Sequence, residues 1–535
     1  MVRRVGALAM LWAGCTEVSV PFGAATPVEP PTPSDGRTVA AHVVALPTAC
    51  LDAAGPGWTR RISSSPPSRA DNWLWGGGLV AADLLSDTLL DLVAPAEPLA
   101  QAYQGTQFDT FPEDACLEPF DLTYGTGGSI ADVDDDGLLD LYLTRFDRPN
   151  RLLHNNGDFT FSDITDAAGV GAIGASLAST WADVDRDGDL DLFVGGYGAV
   201  RSYADRGRGP STGAHLYLNR GDGTFDDRSA DLPARVHQAW VTGAAWVDIN
   251  RDLWPDLYVV GDTGDFTGNV LLINEAGTLV EDGNRHGLDL VMAATGLAVD
   301  DLDDDGLPDF VIAESGNLRV LRSEVGYWRD VSAEIGIKPD ASRGQFDPWG
   351  VDLGDVDNDG DLDLVSAFGT THPDAADARF DQPDALFLQG EDGVFHDDAA
   401  RWAVDDRGTG RGAVLADLNN DGWLDLAKRE LDGPNLLYTS HCAVEPGWLR
   451  IQLVQPLTNS YGVGAQLEIT AGGRTWRRSV GSATGFASAG PPEVHLGLGP
   501  VQQVDAIRVI WPDGAESIVQ DIPAHAVLRL IRDEI

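Results

Sequence analysis

"DVDDDGLLD", residues 132–140, sets five aspartates into nine positions and runs straight into the apolar "LYL". Carboxylates at that density repel one another unless a cation or an array of donors compensates them. The pattern D-x-[DN]-x-D-G-x-x-D returns intact at "DVDRDGDLD" from Asp183, "DLDDDGLPD" from Asp301, "DVDNDGDLD" from Asp355 and "DLNNDGWLD" from Asp417. "DINRDLWPD" from Asp248 has Leu253 in place of the glycine, and "DLLSDTLLD" from Asp83 has Leu85 at position 3 and Thr88 at position 6. Successive starts lie 49, 51, 65, 53, 54 and 62 residues apart, so the chain repeats one unit with loops of variable length.

Each unit continues into an apolar run such as "LDLFVG" and then a hairpin signal such as "LYLNRGDGTFDD", with Gly, Asn and Asp between alternating apolar residues. With the apolar residues that precede each motif, every unit supplies about four short strands. Four-stranded units repeated radially make a β-propeller, and seven copies fall within its usual range. A helical solenoid is disfavoured because no unit sustains a 3.6-residue period. The fold class expected is therefore all-β, a seven-bladed propeller.

The chemistry expected of the loops is calcium binding. Calcium takes six to eight oxygen ligands in irregular shells. Carboxylates or amides at positions 1, 3, 5 and 9 and the carbonyl of position 7 would supply them. The ligand sets are Asp132, Asp134, Asp136, Leu138 and Asp140; Asp183, Asp185, Asp187, Asp189 and Asp191; Asp301, Asp303, Asp305, Leu307 and Asp309; Asp355, Asp357, Asp359, Asp361 and Asp363; Asp417, Asn419, Asp421, Trp423 and Asp425. A carbonyl ligand explains why the position 7 side chain varies. An EF-hand would need glutamate at position 12, where the intact copies have Leu143, Val194, Ile312, Ser366 and Lys428. These copies predict about five ions. Asp248, Asn250, Asp252 and Asp256 leave a sixth open, and the Asp83 copy is expected to hold none.

From Trp448 the repeat gives way to "WLRIQLV", "GAQLEITAGG", "EVHLGLG" and "VDAIRVIWPDG", a compact β domain with glycine turns. The N-terminus, "MVRRVGALAMLWAGC", has a basic pair, an apolar stretch and small residues before Cys15. It reads as an export signal, with a lipid anchor at Cys15 and plain secretion both open. A proline-rich spacer follows over 16–50. Elsewhere no stretch approaches the ~20 apolar residues of a membrane helix. The formal charge of -48, from 84 acidic and 36 basic residues, excludes binding nucleic acid through the general field.

The repeated loops resemble the FG-GAP/VCBS repeats of integrin α-subunit propellers and their bacterial relatives, over about residues 57–440. The "GVGA", "HLGLG" and "WPDG" segments resemble the ASPIC/UnbV domain that follows such propellers in the cartilage acidic protein family. The resemblance implies an integrin-α-like propeller over 51–442 and an ASPIC/UnbV domain over 443–535, with each ion between the first and second strands of a blade. It implies no activity for the C-terminal domain.

No HExxH, phosphate loop or dinucleotide fingerprint occurs, and the GxSxG at 209–213 lacks the strand-to-helix context of a nucleophile elbow. His154 and His495 are expected to be structural. The function expected is an exported, calcium-binding, non-catalytic binding or adhesion module, monomeric, with an extracellular protein or glycan partner. A calcium-dependent polysaccharide-active or other extracellular enzyme and a purely structural surface protein are the alternatives. Two long connections, 195–215 with Arg201, Arg206 and Arg208, and 369–385, are the candidate recognition loops. The seventh unit lacks an outer strand, which "GWTRRIS" at 57–63 is expected to supply. Such closure would bring Cys50 near Cys442 for a disulfide that leaves Cys116 unpaired, with Cys50–Cys116 as the rival pairing.

Overall fold

The structure is a computed structural model. It describes the strands Val39–Val44 and Gly57–Ile62 and, from residue 76, the chain outside 96–100, 104–112, 115–119, 123, 199–209, 263–267, 338–346, 370–381, 432–434, 442–445, 457, 483–484 and 533–535. The expected signal, the three other cysteines with their disulfide, Cys15, and Arg201, Arg206 and Arg208 lie outside the described residues.

Each repeat folds as an antiparallel meander because alternating apolar residues are punctuated by the acidic loop and the hairpin. In blade four, Trp240–Val247, Asp256–Asp262, Val270–Asn274 and Leu279–Glu281 pair in sequence order. Blade two (Gly125–Ala131, Asp140–Pro149, Arg151–Asn155, Phe161–Asp163) joins blade three (Ile173–Ala182, Asp191–Gly196, His215–Asn219, Phe225–Asp227) where Pro149 pairs with Ile173. Blade seven takes three strands from its own repeat, Gly410–Ala416, Asp425–Glu430 and Leu436–His441. Its fourth is Gly57–Ile62, antiparallel to Leu436–His441 with Gly57 opposite His441. The missing outer strand does come from the N-terminal segment, and it satisfies an edge that would otherwise be open.

Apolar clusters fill the spaces between blades. Between blades two and three, Tyr142 and Trp181 meet edge to face with centroids 6.1 Å apart, and Phe225 packs on the indole. Burying side chains of this size contributes about 2–3 kcal/mol each before ordering costs.

The C-terminal domain is a sandwich of two four-stranded sheets enclosing Leu449, Ile469, Trp476, Leu496, Ile507 and Trp511. One sheet holds Gly447–Val454, parallel to Ala526–Arg532. Its edge strand is Val39–Val44, so the stretch expected as a spacer over 16–50 contains a strand. "VAAHVV" is a short β-branched run whose partner lies almost five hundred residues away, and the surrounding prolines mask it.

This domain sits on the propeller face that carries the acidic loops, and it sends a segment into the propeller axis. Ala489 accepts a bond from Ala81 N (2.9 Å), Ala487 from Gly128 N (3.2 Å), and Gly485 donates to Leu297 O (2.9 Å). The segment thus bonds to the innermost strands of blades one, two and five. Phe486 is fully buried and meets Trp349 edge to face with centroids 5.1 Å apart. Close approach needs glycine opposite: a Cβ on Gly78 or Gly127 would stand 1.9 or 2.1 Å from Ala487 O.

Candidate metal centres

All seven loops share one backbone path. Position 4 is left-handed throughout, with φ between 54° and 62° at Ser86, Asp135, Arg186, Arg251, Asp304, Asn358 and Asn420. Position 6 is left-handed too, which glycine adopts freely, while Thr88 (74°) and Leu253 (68°) hold it with a side chain at a cost of about 1–2 kcal/mol each.

Two aspartates of each loop serve the backbone. The position 1 carboxylate accepts the N–H groups of positions 5 and 6, as Asp132 does from Asp136 (3.1 Å) and Gly137 (2.8 Å), except that Asp183 accepts that of position 6, Gly188 (3.0 Å), with its other oxygen left over. The position 9 carboxylate joins the loop to the third strand: Asp140 accepts Val133 N (3.1 Å) with one oxygen and Asn155 N (2.8 Å) with the other. Asp191, Asp256, Asp309, Asp363 and Asp425 repeat this with their own partners. Position 9 is at most 1% exposed in every copy, Asp91 included. The Asp83 copy keeps the clamp at Asp87 N and Thr88 N but turns Leu85 into an apolar cluster.

The carboxylates of each loop converge. Asp132, Asp134 and Asp136 bring one ligand atom each to within 4.8 Å of one another, as do Asp183, Asp185 and Asp191; Asp301, Asp303 and Asp309; and Asp355, Asp357 and Asp359. Each such set could hold a metal ion. Two carboxylates at that spacing repel by roughly 3.5 kcal/mol at an effective dielectric constant of 20. Burial, with neighbouring carboxylates adding to it, pushes Asp140 and Asp309 up to about 8 and Asp183 and Asp301 up to about 7. Asp363 and Asp425 are raised well above the carboxylate range for the same reasons. Asp183 Oδ1 and Asp357 Oδ1 are buried and have no hydrogen-bond donor. A buried anionic oxygen without a donor fits a cation, so the donor set suits a hard divalent ion.

The other predicted ligands stand as the loop path requires. Asn250 and Asn419 occupy position 3 and donate to the position 5 carboxylates of Asp252 (3.0 Å) and Asp421 (3.3 Å). Asp305 and Asp187 accept the N–H of position 7, from Leu307 (2.7 Å) and Asp189 (3.0 Å), and Trp423 N donates likewise to Asp421 (2.9 Å). The Asp361 side chain points instead to Arg474 (2.5 Å).

Sequence reasoning missed two neighbours of these sites. His154 was expected to be structural, but its Nδ1 lies 3.2 Å from Asp140 and 3.5 Å from Asp134, forming a group with them that could hold a metal. In blade five the equivalent place belongs to Arg322, whose Nε is 3.4 Å from Asp303. Both immediately precede the third-strand residue whose N–H binds position 9, and that register was the available signal.

Comparison with known proteins agrees with this architecture. The chain carries FG-GAP-like repeats, matched over 132–194, 203–259 and 301–366, and a C-terminal ASPIC and UnbV domain, matched over 455–534. Among curated proteins it is distantly similar to cartilage acidic protein 1, at 28% identity over 290 residues of the Mus musculus protein and 26% over 283 of the Homo sapiens one. The mouse match spans 48% of this chain and 40% of the relative's length. Solved structures of similar backbone include the BP39L lectin of Burkholderia pseudomallei (9% identity, TM-score 0.44, 69% of this chain, 99% of that one). Another is an Agrocybe aegerita lectin that recognises non-reducing terminal N-acetylglucosamine (14%, TM-score 0.40, 67% and 86%).

Proposed function

We propose that the protein is an exported, non-catalytic binding module whose propeller is held in shape by about five calcium ions. The observation that carries the reading is the recurrence of one loop with convergent carboxylates, partly buried and partly open to solvent, in the copies from Asp132, Asp183, Asp301 and Asp355. Calcium suits donors that are all oxygen and an irregular shell, whereas magnesium prefers near-ideal octahedra and keeps its waters. Asp132, Asp134, Asp136 and Asp140, with the Leu138 carbonyl, would hold one ion, and the corresponding residues of the other copies would do likewise. The ion would supply charge compensation and rigidity.

Partner binding is assigned to the face opposite the acidic loops. In an antiparallel blade the second-to-third connections emerge there, and the two longest, 195–215 and 369–385, belong to it. The partner chemistry is an extracellular protein or an acidic glycan, recognised by Arg201, Arg206 and Arg208 in an otherwise acidic chain. Export places the chain on the cell surface as a lipoprotein through Cys15, or in the medium. The test is a glycan and cell-surface protein binding screen run in calcium and in chelator, with the three arginines changed to serine as the comparison. Calcium-dependent capture lost in the triple variant is the expected result. Turnover of a screened polysaccharide would replace the module with an enzyme.

A further inference from the structure

The C-terminal domain does not rest on the acidic loops indiscriminately. It binds the outward carbonyl of position 6, the residue whose left-handed backbone reverses the loop. Tyr461 OH donates to Gly137 O (2.9 Å), Trp476 Nε1 to Gly360 O (2.8 Å), His495 Nε2 to Gly422 O (3.1 Å) and Arg450 Nη2 to Thr88 O (2.9 Å). Position 1 is engaged as well, since Gly497 N donates to Asp355 Oδ2 (2.9 Å) and Gln466 Nε2 to Asp248 Oδ2 (3.3 Å). Four separate loops therefore offer their position 6 carbonyls to one rigid sandwich, which they meet together only while each is wrapped; the three from Asp132, Asp355 and Asp417 are candidate ion sites, and the Asp83 loop is a fixed point. The same sandwich carries the segment that fills the axis.

We infer that the C-terminal domain is the propeller's own ligand, docking on the wrapped form of the loops, so that cation binding and insertion of the 485–490 segment into the axis form one linked equilibrium. The inference rests on the reading that the loops take calcium. Linkage is reciprocal: a domain that prefers wrapped loops raises their affinity for the ion by the factor by which the ion raises its docking.

A competing effect has the opposite sign. Cation loss leaves the loops more negative, and Coulomb attraction to the arginines of the C-terminal domain would then tighten the dock. The contacts decide against it. Tyr461, Trp476 and His495 are uncharged donors, and burial holds His495 down at about 4. Arg474 bonds Asp304 and Asp361, at positions 4 and 7, outside the convergent sets, and Arg450 comes no nearer to Asp417 than 3.8 Å. The geometry of the loop therefore governs docking more than its net charge.

Hydrogen exchange on the full chain tests the linkage, with calorimetric ion counting on the same samples. In chelator, below the melting temperature, the amides of Ala81, Gly128, Leu297, Gly485 and Ala489 should exchange at least tenfold faster than in calcium. Tyr258 in blade four and Ile507 in the C-terminal sandwich should keep their protection. Tyr461→Phe, which removes only the hydroxyl, should reproduce the faster exchange in calcium with the ion count unchanged, and Trp476→Phe, which removes the indole N–H together with part of a core ring, should do so more strongly. Ions that bind and are removed while the axial amides stay protected, or become more protected, would overturn the linkage and leave the calcium reading intact. No ion binding at all would overturn both. Uniform loss of protection across Tyr258 and Ile507 as well would also overturn it, because the axial segment would then have no separate response.

Discussion

At the residue scale, position 3 carries a carboxylate in the copies from Asp132, Asp183, Asp301 and Asp355, an amide at Asn250 and Asn419, and an apolar side chain at Leu85. Positions 1 and 9 are retained even at Asp83 and Asp91 because they also hold backbone N–H groups, so their presence alone does not mark an ion site. Asp91→Ala should therefore destabilise by about 1–3 kcal/mol, the cost of a buried unsatisfied N–H at Leu84, equally in calcium and in chelator. Asp357→Ala should lower the melting temperature in calcium and change it little in chelator. An ion at 100 times its Kd contributes about 2.7 kcal/mol. Parallel thermal melts of both variants separate the roles. Arg322 beside Asp303 occupies part of the space a cation would take. Arg322→Met should raise calcium affinity at that loop, read as a shift of one class of sites in a titration.

The carboxylates also fix a pH dependence whose slope depends on the ion. Without calcium, Asp140 and Asp309 stay protonated in the folded state up to about 8 and Asp183 and Asp301 up to about 7, while the unfolded chain ionises near 3.8. The unfolded state thus binds fewer protons between those limits, and stability should fall as pH rises from about 4 to 8. In saturating calcium the ion keeps these carboxylates ionised in the folded state, as they already are in the unfolded chain above about pH 5, so stability should change little between pH 5 and 8. Melting curves at pH 5 and pH 8, with and without chelator, check the difference in slope.

At the scale of elements, the propeller was legible because each blade carries its own punctuation: acidic loop, apolar run, hairpin glycine. Even the missing strand of blade seven could be placed at Gly57–Ile62, since an absent element leaves an edge to be filled. The strand Val39–Val44 and the axial segment were not legible. Both depend on contacts distant in sequence, and "GSATGFASAG" at 481–490 carries neither alternation nor a turn signal that announces insertion. Its trace lies instead in the strands it meets, where Gly78 and Gly127 leave room for Ala487. Gly127→Ala should expel the segment, raising exchange at Gly485 and Ala489 while the ion count is kept.

At the scale of the whole molecule, one N-terminal segment contributes a strand to each domain, Val39–Val44 to the C-terminal sheet and Gly57–Ile62 to blade seven. Removing residues 1–63 should open both edges and lower solubility as well as stability, visible by light scattering. The formal charge of -48 makes the cation the natural counterweight to folding. Among the described residues no helix is long and apolar enough to cross a membrane. If the repeated loops bind calcium and the fold depends on it, chelator-stripped protein titrated with calcium by calorimetry, then melted, should take up about five ions and gain a marked rise in melting temperature. No binding heat and an unchanged melt in excess chelator would mean that the loops hold no ion and the fold needs none.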